Sequence, residues 1–113
     1  VADARNPGEW AARLFLKDGA IALAARPACP AAGACPPPVD PRTGTPAGGL
    51  DAAAVVAPDA LTAAAVAEAA LALGPRAGAA LVERLQLRAV YRSAAGVEVS
   101  PDLRDTAILR AGR

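Results

Sequence analysis

Val39-Asp40-Pro41-Arg42-Thr43-Gly44-Thr45-Pro46 is followed by the apolar run Leu50-Asp51-Ala52-Ala53-Ala54-Val55-Val56-Ala57 and then by an almost wholly apolar segment from Asp59 to Gly74. Asp-Pro followed by Thr-Gly is turn chemistry, because Pro fixes φ and Gly supplies a conformation that a β-carbon disfavours. The run at residues 50–57 reads as a buried strand stopped at Pro58, which cannot donate to a ladder. Asp59 is placed to cap a helix with Thr62 in its first turn, and Gly74 is placed to end it. Turn, buried strand and capped helix in that order set the frame for the rest of the chain.

Working outward, Pro75 opens a second short helix over residues 76–85 with Leu81, Val82 and Leu85 facing inward. Residues 87–92 and 97–99 pair as a hairpin around Ser93-Ala94-Ala95-Gly96, and Ser100-Pro101-Asp102-Leu103 forms a turn. Ile108 and Leu109 are candidates for a last short strand. Upstream, Leu14-Phe15-Leu16 and Ile21-Ala22-Leu23-Ala24 flank Lys17-Asp18-Gly19-Ala20, an Asp-Gly signal for a tight hairpin. Residues 7–13 read as a short helix that starts at Pro7. Residues 26–49 hold seven of the eleven prolines and four glycines, a long loop without periodicity. The expected class is α+β: a mixed sheet built from hairpins with two packed helices, in one unit over residues 1–113.

Composition narrows the function classes. The chain has 113 residues, room for one small domain or part of a larger one. Net charge is +1 with scattered basic residues and aromatics are 3%, so neither a basic face nor stacking platforms for nucleic acid are present. Alanine supplies much of the 54% hydrophobic content and buries little area per residue, so a partner or further residues would help complete the core. The first residue is Val1, and the sequence shows no tripartite signal peptide; the apolar run from Ala60 to Leu73 is short for a bilayer. The chain therefore reads as soluble, and as a possible fragment. With no His, Ser-His, Cys-His and His-based metal sites are excluded. Cys29 and Cys35 could bridge across their short loop or remain two thiols.

Glu68 is the only ionisable residue between Ala60 and Pro75. Buried on an apolar helix it would need a cation, a metal or a proton; on a narrow exposed stripe it would need nothing. Asp40 and Arg42 suit local turn capping and a surface ion pair. Lys17 suits a solvated turn, and Ser93 and Ser100 have no base nearby in sequence.

Taken in order, Leu16-Lys17-Asp18-Gly19-Ala20-Ile21-Ala22, Asp40-Pro41-Arg42-Thr43-Gly44, Val55-Val56-Ala57-Pro58-Asp59-Ala60-Leu61-Thr62-Ala63 and Ala70-Leu71-Ala72-Leu73-Gly74-Pro75 resemble the C-terminal half of the ApbE family, the FAD:protein FMN transferases, over about residues 5–103. The resemblance implies an ApbE-like portion of a larger two-half fold. It implies FAD as substrate, Mg²⁺ as cofactor, and attachment of FMN to a Thr of a partner flavoprotein, with the other half of the fold supplying much of the flavin cradle. The family's His-x-Ile-Asp-Pro-x-Thr-Gly loop approaches the flavin nucleotide, so Val39 and Asp40 are the implied cofactor-binding residues; the motif's His falls on Pro37. The family's helix carries an Asp and, four residues on, a Thr as metal ligands. Those positions are Ala64 and Glu68, which leaves Glu68 as the one implied metal ligand. The family's Thr-Ser-Gly after the Lys-x-Gly block is Leu23-Ala24-Ala25. With Pro37, Ala64 and Glu68 at three family positions, the expectation is an impaired copy with little or no transferase activity on its own. The alternative is a non-catalytic ApbE-like subunit with a structural or partner-binding role.

Overall fold

The computed structural model describes residues 1–26, 38–104 and 107–109. Four antiparallel strands, β2 (Ala20–Ala25), β3 (Ala52–Ala57), β4 (Arg88–Ser93) and β5 (Gly96–Val99), form a sheet in the order β2-β3-β4-β5. A smaller pair joins β1 (Ala12–Arg13) to β6 (Ile108–Leu109). The class is α+β, as expected, but the expected mixed sheet is corrected: every pairing between described strands is antiparallel. The turn between β4 and β5 is the two residues Ala94-Ala95, with Ser93 opposite Gly96. The Ser93 hydroxyl accepts from the Ala95 amide.

Between β3 and β4 runs α1 (Ala60–Arg84), a 25-residue helix broken at Gly74, where φ is 86° and ψ is −178°. Asp59 caps its start, accepting the Thr62 amide at 2.8 Å and the Thr62 hydroxyl at 2.8 Å. Capping holds the Asp59 carboxyl below the usual carboxylate range. The break is sharp. A β-carbon on Gly78 would lie 2.6 Å from the Ala70 carbonyl oxygen, eight residues back, so the second segment folds close against the first. The expected stop at Gly74 and restart at Pro75 are therefore both present, as a bend within one element. By length and hydropathy alone α1 could cross a membrane. Here the bend shortens it, and Ala63, Val66, Ala67, Ala70, Leu71 and Val82 lie buried.

The core has two layers. On the helix side, Val66, Ala67, Ala70, Leu71 and Val82 pack with Ala24, Leu50, Ala53, Val55, Ala89 and Tyr91. On the other side, Ala12 and Leu103 pack with Ala54 and Val90, joined by Val1, Leu14, Val97 and Val99. All six residues of β3 are buried because the strand is paired on both edges and covered on both faces. Its alanines let the helix approach closely; each fully buried Val or Leu contributes about 1.5–3 kcal/mol. Leu85, expected inside, is 46% exposed, because it caps the end of α1 after the last buried turn.

Two upstream expectations fail. Residues 7–13 form no helix: Gly8 has φ +85°, Ala2 bridges Trp10, and the chain enters β1 at Ala12. Leu14-Phe15-Leu16 form no hairpin with residues 21–24; β2 instead pairs along its whole length with β3, Ala20 opposite Ala57 and Ala25 opposite Ala52. The fully buried β3 offers β2 a long ladder that three residues across a tight turn could not match. The N-terminal segment is fixed by a pair no local pattern announces. Arg92 Nε donates to Asp3 Oδ1 at 2.8 Å, with both side chains buried. Burial alone would raise the Asp3 carboxyl; hydrogen bonds from Arg92, Asn6 and the Arg5 amide, with the Arg92 charge, outweigh it and hold it far below the carboxylate range.

Candidate functional site

The described part of the Pro-rich loop is a small hairpin of its own. Val39 bridges Pro46, the Asp40 amide donates to the Thr45 carbonyl at 2.8 Å, and the Thr43 and Gly44 amides donate to the Asp40 carbonyl. Gly44 has φ +70°, the left-handed position that the Thr-Gly signal anticipates. The Asp40 carboxylate accepts the Arg42 amide at 2.9 Å, Arg42 Nε at 3.1 Å and Arg42 Nη2 at 2.8 Å. These side-chain and backbone bonds hold Asp40 below the usual carboxylate range, and the same pairing raises Arg42. Asp40 is thus nearly buried and fully engaged within its own turn.

Arg42 also ties this turn to the helix. Its Nη2 donates to the Leu73 carbonyl at 3.3 Å, one residue before the break at Gly74. The Gly48 carbonyl lies where a β-carbon on Gly74 would come within 3.0 Å. Farther back, a guanidinium nitrogen of Arg26 donates to the Ala47 carbonyl. Between turn and bend lies a groove of about 530 Å³ lined by Asp40, Arg42, Thr43, Thr45, Gly74 and Arg76, among others. The Thr43 and Thr45 hydroxyls share a 2.6 Å hydrogen bond at its edge. Among the described residues Arg76 has no carboxylate partner, so the groove carries one uncompensated cation.

The predicted site residues separate on this scaffold. Asp40 lines the groove, with its carboxylate directed into its own turn. Val39 does not line it; its side chain is 54% exposed beside it. Glu68 stands elsewhere, exposed on the first segment of α1 with Leu61, Ala64 and Ala65 on the same stripe. Ala64 and Glu68 share a face by the i, i+4 relation, but one offers no oxygen and the other a single carboxylate. Among the described residues no three acidic or cysteine side chains come together to hold a metal. The residues present therefore do not fit Mg²⁺, which wants near-octahedral oxygen coordination. Pro37, Cys29 and Cys35 lie outside the described residues. The sequence reading did not anticipate the Arg42 brace or Arg76; Gly74-Pro75 was the signal that could have pointed to both.

A sequence model of the ApbE family matches residues 38–91, the span from this turn through β3 and α1 into β4. Over that span the chain is similar to the ApbE family. Its fold is similar to that of a flavin transferase ApbE from Vibrio cholerae, with 20% identity over 78% of this chain and 30% of that one, at a TM-score of 0.56. A mutant form of the same Vibrio protein is similar at 21% identity over 73% of this chain and 25% of its own, with a TM-score of 0.51. The chain thus spans about a quarter to a third of these structures. No curated protein matches by sequence.

Proposed function

We propose that this chain is a portion of an FAD:protein FMN transferase-like protein that keeps a flavin-facing turn and is impaired in transfer. The carrying observation is that the braced turn of residues 39–47 and the helix bend it grips fall together inside the span matched by the family. In this reading Val39 offers an exposed apolar face to the flavin ring, and Asp40 is a positioning residue that shapes the turn through Arg42. Arg76 supplies positive charge for a nucleotide phosphate. In the family's chemistry the FAD pyrophosphate is cleaved and FMN passes to a Thr hydroxyl of a partner flavoprotein, so the implied partners are a flavin nucleotide and that acceptor. The remainder of the fold would come from residues or a chain beyond those here.

A second reading, an ApbE-like subunit with a structural or partner-binding role, is favoured by the Ala64/Glu68 face and its single carboxylate. The chain is incubated with FAD, Mg²⁺ and a Thr-bearing acceptor domain, and covalent flavin is sought by in-gel fluorescence and by the mass of an FMN adduct. The expected result is no adduct, with FAD fluorescence changed saturably by the chain and the change weakened several-fold in Asp40→Ala. An adduct formed by this chain alone would overturn the impaired reading. Absence of any FAD interaction at millimolar flavin would overturn the flavin-facing role and leave the subunit reading.

A further inference from the structure

The groove leaves a second concavity unused. A cavity of about 590 Å³ opens between the second segment of α1, the β4–β5 hairpin and the turn at Pro101–Leu103. Its apolar wall includes Leu50, Val82, Leu87 and Val99. Glu83, Glu98 and Asp102 also line it, all three exposed, and no Lys or Arg is among its described lining residues. None of the three carboxylates pairs with a basic side chain among the described residues. Three carboxylates alone would be an ordinary solvated rim.

The independent observation is Tyr91. It lines the cavity from β4 with 7% of its surface exposed, and its hydroxyl makes no hydrogen bond to a described group. The hydroxyl oxygen keeps some solvent access, so it stands open at the cavity wall as a donor and acceptor. Burial, with the Glu83 charge nearby, pushes the phenol up to about 12, so it is a neutral hydroxyl able to accept as well as donate.

We propose that this cavity binds an organic cation with an apolar body: a primary ammonium or guanidinium on a hydrocarbon or aromatic stem. The charged head stands among Glu83, Glu98 and Asp102 and donates to the Tyr91 hydroxyl oxygen, and the stem lies on Leu50 and Val82. The net negative lining repels phosphates, so this site is distinct from the flavin reading of the groove and does not depend on it. A bare metal ion is disfavoured, since the described carboxylates form no chelating group. The head can belong to a free amine or to a Lys or Arg side chain of a polypeptide; the chemistry recognised is the same.

Tyr91 is the single tyrosine, so its ring resonances in NMR report occupancy directly. The whole chain is titrated with 4-phenylbutylamine, with the neutral analogue 4-phenylbutan-1-ol, and with N-acetyl-Leu-Arg-amide. The amine is expected to shift the Tyr91 resonances saturably and to bind at least tenfold more tightly than the alcohol. Glu83→Gln combined with Glu98→Gln, both exposed and so compatible with folding, should weaken the amine at least tenfold and leave the alcohol unchanged. Tyr91→Phe, followed by the Leu87 and Val99 methyl resonances, should weaken it several-fold, and FAD should not displace it. Tighter binding of the peptide than of the amine supports a polypeptide source, and the reverse a free amine. Equal binding of amine and alcohol, or no movement of Tyr91 at millimolar amine, would overturn the proposal.

Discussion

The groove beside the Asp40 turn and the cavity beneath the β4–β5 hairpin share Pro75 on their walls, yet Arg42 and Arg76 line the first and Glu83, Glu98 and Asp102 the second. The groove is built from backbone: a turn closed on itself, a carbonyl beside a helix break, and an arginine that spans the two. The cavity is built from side chains: a phenol, aliphatic walls and a ring of carboxylates. One bend in one helix therefore separates two surfaces of opposite charge. The difference teaches that the Gly74-Pro75 step shapes the surface on both of its sides, where a straight helix would have offered one continuous face.

The largest effect on this pair should come from outside both regions. Arg92 anchors β4 through its buried pair with Asp3, and its carbonyl accepts the Asp51 amide where the loop rejoins the sheet. Asp3→Ala leaves a buried guanidinium uncompensated and should cost about 3–5 kcal/mol in urea unfolding, loosening groove and cavity together. The same pair sets the acid limit. Because the folded carboxyl lies below its ordinary 3.8, its contribution is complete above that value and is lost as pH falls beneath it; Asp3→Asn should flatten this limb.

A smaller change should break the comparison more selectively. Gly78→Leu places a side chain where a β-carbon already meets the Ala70 carbonyl at 2.6 Å, forcing the bend open at about 1–3 kcal/mol or more. The second segment carries Val82 and Glu83, so the cavity should lose its shape while the Asp40 turn, closed by its own hydrogen bonds, persists. Amide exchange at Gly44 against the Tyr91 ring resonances separates the two outcomes.

How far the sequence announced this arrangement follows the range of the interactions. The Asp59 cap, the Gly74 break, the two-residue turn at Ala94-Ala95 and the Asp40–Arg42 pair are local, and each was legible because one or two residues dictate a backbone shape. The partner of β2 was not legible: the Asp18-Gly19 signal was real as a turn, but the better ladder lay some thirty residues on, in β3. Nor was the Asp3–Arg92 pair, which joins residues 89 positions apart. At residues 7–13 helical spacing lost to a turn at Gly8 and a bridge that aligns Trp10 beneath Arg13 at 4.5 Å. The cavity was hidden for the same reason: Leu50, Tyr91, Glu98 and Asp102 meet only after three elements pack.

The alkaline limb should mark the cavity alone. Tyr91 titrates at about 12 when folded against an ordinary 10.0, so the unfolded chain loses that proton first as pH rises. Stability from this source is complete below pH 10 and declines toward 12, and Tyr91→Phe should remove that decline in urea midpoints measured across the range. Over this range the groove stays silent: Asp40 is held below the carboxylate range, and Arg42 is raised from a value that already lies above the range.

Glu68 should produce the smallest effect, and the size of that effect is what makes it informative. It is exposed beside Ala64 and Ala65, with no cation near enough to pair among the described residues, so removing its charge deprives no other group of a partner. Glu68→Ala should therefore move the urea midpoint by no more than about 0.5 kcal/mol, with helix propensity alone favouring the alanine. Titration of Mg²⁺ into the chain, followed by amide shifts along residues 60–70, should look the same with and without it. A Glu68-dependent Mg²⁺ shift would restore a ligand to this face and turn the first segment of α1 into a third functional surface. Without one, the bend at Gly74 divides a first segment that serves only to cover the sheet from a second segment that frames both the groove and the cavity.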